Sequence, residues 1–131
     1  MVIRSEQQET SNQQQGKRHM EIYMIYITAS SKDEARTIGR ELVLSKLAAC
    51  ANIFDNMNSF YYWDGKLQDD TEAVLIAKTT KERVPQLIDK VKSLHSYECP
   101  CIVTLPVAGG NPAFLDWVAA ETTGGAGEFV S

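Results

Sequence analysis

Imidazole, carboxylate and thiol crowd into one short stretch of this chain, His95-Ser96-Tyr97-Glu98-Cys99-Pro100-Cys101. Nitrogen, oxygen and sulfur donors of these kinds suit copper or zinc. His95 precedes Glu98 by three residues, so a tight turn can bring ring and carboxylate together, and a strand-like Cys-x-Cys would point both thiols to one face. The candidate metal ligands are His95, Glu98 and Cys101, with Cys99 and Cys50 as further thiols. A plainer reading competes with this one. His95 ends an apolar-periodic helix, where the dipole favours a cation, and it could cap carbonyls or bond across a subunit boundary. Free cysteines are in turn common small core residues.

A second set of side chains lies on a hairpin. Tyr61, Tyr62 and Trp63 could stack on a planar ligand, although aromatics on strands this long serve more often as interface anchors. Glu72 and Lys78 project from one face of the following strand, as ionic partners or as pocket lining. Enzymatic signatures are missing. The loop Thr28-Ala29-Ser30-Ser31 has no glycine, and the first arginine after it is Arg36, which makes a poor phosphate cradle. Neither a Ser-His-Asp order nor paired catalytic carboxylates stand out. The expectation is a protein that is not an enzyme.

The elements that must position these residues follow from pattern. Ile22-Tyr23-Met24-Ile25-Tyr26-Ile27 reads as a central strand. Ser31-Lys32-Asp33-Glu34 is a capping box opening a helix with Ala35, Ile38, Leu42 and Val43 on its apolar side. A second box, Thr79-Thr80-Lys81-Glu82, introduces Val84, Leu87, Ile88, Val91 and Leu94, with Pro85 in the first turn. Between them Asp64-Gly65 suits a two-residue type I′ turn. Cys101-Ile102-Val103-Thr104-Leu105 reads as a strand, and Asn111-Pro112 starts a short final helix holding Phe114, Leu115, Trp117 and Val118. The predicted fold is α+β, a ferredoxin-like βαββαβ with a short C-terminal helix and both main helices on one sheet face.

The 131 residues hold one domain, expected over 21–123. The glutamine-rich segment 1–20 reads as a disordered polar tail, with His19-Met20 equally a cloning junction or native sequence, and 124–131 as a flexible glycine-rich exit. A net charge of −4, with basic residues scattered, disfavours nucleic-acid binding. No apolar run is long enough for a membrane span or follows the first Met as a signal would. Three cysteines, an odd number, read as free thiols, so a cytosolic location is expected. The hairpin aromatics reach past any helices of their own subunit, which calls for another copy to cover them.

Thr28-Ala29, Lys46-Leu47-Ala48-Ala49-Cys50-Ala51-Asn52, Ser59-Phe60-Tyr61-Tyr62-Trp63-Asp64-Gly65-Lys66, Lys78-Thr79, His95-Ser96-Tyr97-Glu98-Cys99-Pro100 and Trp117, in this order and spacing, resemble the CutA family of divalent-cation tolerance proteins. The resemblance implies a tight homotrimer in which the hairpin pairs across subunits, tolerance of copper and other divalent metals, and similarity in subunit fold and trimeric form to the PII signalling proteins. This chain departs from the family's His-Pro-Tyr with His95-Ser96-Tyr97, and Ile27 and Leu94 stand where some members carry a Cys and a second His. Fewer than four protein ligands, completed by water, would then hold a metal. Two functions are weighed: a non-enzymatic trimeric protein binding copper or another divalent metal, and a PII-like signalling module. The latter would use an intersubunit pocket of Tyr61, Trp63, Glu72, Lys78, Tyr97 and Trp117 for a small anion or a partner.

Overall fold

β-Branched and aromatic residues fill the first strand, β1 (Ile22–Ala29), and in the computed structural model, which describes residues 21–123, it lies in the middle of the sheet. The other elements are α1 (Lys32–Leu44), β2 (Cys50–Trp63), β3 (Lys66–Thr80), a single 3₁₀ turn (Lys81–Arg83), α2 (Val84–Leu94), β4 (Ile102–Pro106) and α3 (Pro112–Thr122). The four strands are antiparallel in the order β2-β3-β1-β4. That order, with α1 and α2 as crossovers, is the expected ferredoxin-like arrangement. The readings of 1–20 and 124–131 lie outside the described residues.

Alternation along the strands sorts the core. Ile25 and Ile27 of β1 and Ala73, Leu75 and Ala77 of β3 meet Ala35, Ile38 and Leu42 of α1 and Leu87 and Val91 of α2, all fully buried. On the opposite sheet face α3 covers one corner, where Val118 packs on Ile22 and Ala49. The rest of that face stays open, with Phe54, Val103 and Leu105 exposed.

Local signals acted as expected at three places. The Ser31 side chain accepts from the Glu34 amide, and Asn111 accepts from the Ala113 amide with Pro112 next to it. Asp64 and Gly65 both have positive φ, 56° and 73°, as the two-residue turn demands. The second capping box does not form. Thr80 makes no side-chain cap, and the 3₁₀ turn intervenes before α2. Thr79 is buried, and its hydroxyl donates instead to the Leu47 carbonyl at 2.7 Å, tying the end of β3 to the approach to β2. The hairpin also carries an irregularity between Phe54 and Met57, with Asn56 at φ 56°. It bends the long ribbon before its aromatic tip.

Candidate functional site

Beyond Ala29 the hairpin continues alone, and the loop 95–101 folds back over its base. Together they enclose a cavity of about 420 Å³ lined by Thr28, Tyr61, Trp63, Gln68, Glu72, Tyr97, Glu98, Cys99 and Cys101. Glu72 sits in it at 8% exposure. One carboxylate oxygen accepts from the Ser59 hydroxyl at 2.7 Å and the other from the Tyr97 hydroxyl at 2.7 Å. Each oxygen keeps a lone pair beyond these bonds. Among the described residues no Lys, Arg or His lines the cavity, while two carboxylic side chains do, a lining that favours a cation or a hydrogen-bond donor. Burial, and then the bond to Glu72 and its charge, push the Tyr97 hydroxyl well above the usual tyrosine range, so it stays a donor. Tyr61 is likewise raised, first by its hydrogen bond to Asp70.

The loop is pinned at successive points. The His95 ring is fully buried; its Nε2 lies 2.7 Å from the Thr28 carbonyl and its Nδ1 lies 3.1 Å from the Tyr97 amide. A carbonyl can only accept, so Nε2 carries the proton and Nδ1 receives the Tyr97 N–H. The Ser96 amide donates to Glu34 at 2.7 Å, Tyr97 reaches Glu72, and the Thr28 amide donates to the Cys101 carbonyl at 3.3 Å.

The expected metal set is thereby divided. Glu98 and Cys101 line the cavity, but His95 stands behind its wall with both ring nitrogens engaged, and it does not fit as a ligand in this arrangement. Among the described residues no group of three or more His, Cys, Asp and Glu side chains converges enough within one chain to hold a metal ion. Of the expected pocket residues, Tyr61, Trp63, Glu72 and Tyr97 do line one cavity. Lys78 and Trp117 do not: Lys78 donates to the Asn52 side chain, and Trp117 packs on Phe114 in α3 at 5.6 Å between ring centroids. Sequence reading missed Ser59 and Glu34. Ser59 pairs with Asp70, one diagonal step from Glu72 on the same strand face, a spacing that could have flagged it; the capping box places Glu34 at the start of α1, but nothing local flags its reach to the Ser96 amide.

Glu34 yields a pH prediction. Burial alone would raise its carboxyl, but hydrogen bonds from the Ser30 amide and hydroxyl and the Ser96 amide outweigh it and bring the pKa from 4.5 to about 2. A depressed folded-state value contributes stability above the unfolded pKa, lost as pH falls through the folded one. Wild type should therefore lose stability between about pH 5 and pH 2, and Glu34→Gln should cost roughly 1–2 kcal/mol at pH 7 with a flatter acid limb. Thermal melts from pH 7 to pH 2.5 on both proteins check this; parallel curves would contradict it.

Fold and cavity together define a class: a ferredoxin-like subunit whose β2-β3 ribbon outruns its own core and roofs an acidic, aromatic pocket at its base. The CutA1 divalent ion tolerance protein family model matches residues 23–121, and the chain belongs to this family. It is 47% identical over 94 residues to the divalent-cation tolerance protein CutA of Archaeoglobus fulgidus, covering 72% of this chain and 91% of that one. The Thermus thermophilus protein of the same name is 44% identical over 99 residues, 76% and 96% of the two chains. Among solved structures, CutA1 from Oryza sativa superposes with a TM-score of 0.79 at 34% identity, covering 81% of this chain and 97% of that one. The Archaeoglobus fulgidus structure, described as a periplasmic divalent cation tolerance protein, gives 0.75 at 44% identity over 77% and 98%.

Proposed function

We propose that this protein is a non-enzymatic homotrimer of divalent-cation tolerance that takes a divalent metal ion, copper among them, in the cleft centred on Glu72. The observation that carries this reading is the buried Glu72 carboxylate in a cavity lined, among the described residues, by two acidic and no basic side chains. Its hydroxyl partners, Ser59 and Tyr97, orient the oxygens without neutralising them. Ligands missing from one chain come from a neighbouring subunit and from water. The small-anion version of the signalling reading is disfavoured by the same lining, since an anion would meet Glu72 and Glu98 with no countercharge.

Assembly is supported by the open sheet face and by β2, a long edge strand with a strand neighbour on one side only among the described residues. The family's name, a divalent ion tolerance protein, supports the metal reading. Cys50, Cys99 and Cys101 are free thiols, which suits the cytosol, and no described helix is long and apolar enough to cross a membrane. Calorimetric titration of the tag-free protein with zinc and copper(II) tests the reading. Glu72→Gln should weaken binding at least fivefold with the trimer intact by light scattering; equal affinities would refute the role of the Glu72 cleft.

A further inference from the structure

We infer that Cys99 and Cys101 form a two-thiol clamp at the rim of the Glu72 cleft that captures a soft, thiophilic monovalent cation, with copper(I) as the type. This extends the reading of the cleft as a cation site and adds the kind of cation that it admits. Three observations carry it. Both cysteines are free and exposed, and both line the same cavity, so their side chains address one volume. The backbone between and around them is held in advance: His95 is tied to Thr28, Ser96 to Glu34, Tyr97 to Glu72 and Cys101 to Thr28, while Pro100, between the thiols, fixes its own φ and restricts Cys99. The cavity-lining side chains of this loop that do not serve as anchors are Glu98, Cys99 and Cys101. A donor pair presented on a pinned loop loses little freedom on binding, which is where affinity is gained.

The chemistry follows from the donors. Thiolate sulfur prefers copper(I) to hard cations, whereas the carboxylates deeper in the cleft suit divalent ions. Two sulfurs can serve a d¹⁰ monovalent ion in two-coordinate geometry, so a set of three clustered ligands is not required. On capture each thiol releases its proton to solvent as its sulfur donates a lone pair to the metal. No electrons are transferred, since copper enters as copper(I). The two thiolates already outweigh the single positive charge of the ion, so neither Glu98 nor the buried His95 is needed as a ligand or countercharge.

The test is anaerobic competition between the intact, reduced protein and bicinchoninate for copper(I), with ultraviolet thiolate-to-copper absorption as a second signal. One copper(I) per chain is expected. Cys99→Ser/Cys101→Ser should lower the affinity at least tenfold and abolish the absorption, whereas Cys50→Ser should retain both. The serine variants change one exposed atom per site, and light scattering with circular dichroism on the same samples verifies their assembly and fold. Unchanged copper(I) affinity in the double variant, or equal loss in Cys50→Ser, overturns the clamp. Glu72→Gln separates the two ideas: zinc binding weakened by Glu72→Gln beside thiol-independent copper(I) binding sinks the clamp alone. Thiol-dependent copper(I) binding with zinc binding indifferent to Glu72 upholds the clamp and sinks the cleft reading.

Discussion

Serine substitution of Phe60, Tyr62 and Trp63 together is expected to leave folded monomers where the wild-type protein is proposed to form a trimer. Their rings are 66%, 72% and 60% exposed in the single chain and belong to neither core cluster, so subunit folding does not depend on them. Monomers rarely carry a continuous apolar ribbon of this kind without a partner. Covering roughly 100 Å² of each ring contributes about 2.5 kcal/mol at 25 cal/mol per Å², and every subunit contributes the set, so the loss exceeds what a micromolar assembly can absorb. Phe54, Val103 and Leu105 add exposed apolar area on the sheet face that Trp63 shares, while Phe60 and Tyr62 alternate onto the other face of the ribbon. Size-exclusion chromatography with light scattering decides the matter. A triple variant at three times the chain mass, or a wild type that is itself monomeric, would show that the ribbon serves something other than trimer assembly.

What the sequence discloses about this ribbon is its length and chemistry, because alternation and the Asp64-Gly65 turn are local properties. The bend between Phe54 and Met57 is less visible: Asp55-Asn56 tolerates positive φ, but nothing nearby demands it. The false capping box at Thr79 fails for a related reason. Its hydroxyl is drawn to the Leu47 carbonyl, 32 residues away, by the burial of β3, and tertiary contact overrides the local pattern. The site divides in the same way. Glu72 was legible as an inward charge on a strand, and Tyr61, Trp63 and Tyr97 as its surroundings. His95 was legible as a residue but not as a strut, since its meaning depends on the Thr28 carbonyl 67 positions away. Lys78 and Trp117 share motifs with the cavity residues, but register sends the first to Asn52 and the final helix carries the second away.

Leu75→Ala is expected to be the most damaging single truncation in the core, at about 2–4 kcal/mol. Leu75 is fully buried on the helix-facing side of β3, paired with Ile27 on one side and Ile53 on the other. Above it α1 approaches through Gly39: a Cβ built there would lie 3.2 Å from Leu75 Cδ1 and 3.3 Å from the Ala51 Cβ. This close approach explains a glycine inside a helix, where it costs about 1 kcal/mol relative to alanine. It also makes the two positions coupled. Gly39→Ala alone should gain helix propensity but spend most of it on crowding, leaving stability nearly unchanged. In the Leu75→Ala background one of the two crowding contacts is gone and the new methyl projects into the void, so Gly39→Ala should restore about 1 kcal/mol. Urea unfolding at one fixed protein concentration measures all four corners of the cycle, since unfolding of an assembled protein depends on concentration. Strict additivity, with Gly39→Ala equally neutral in both backgrounds, would mean that α1 shifts to close the void and that Gly39 is not held against Leu75.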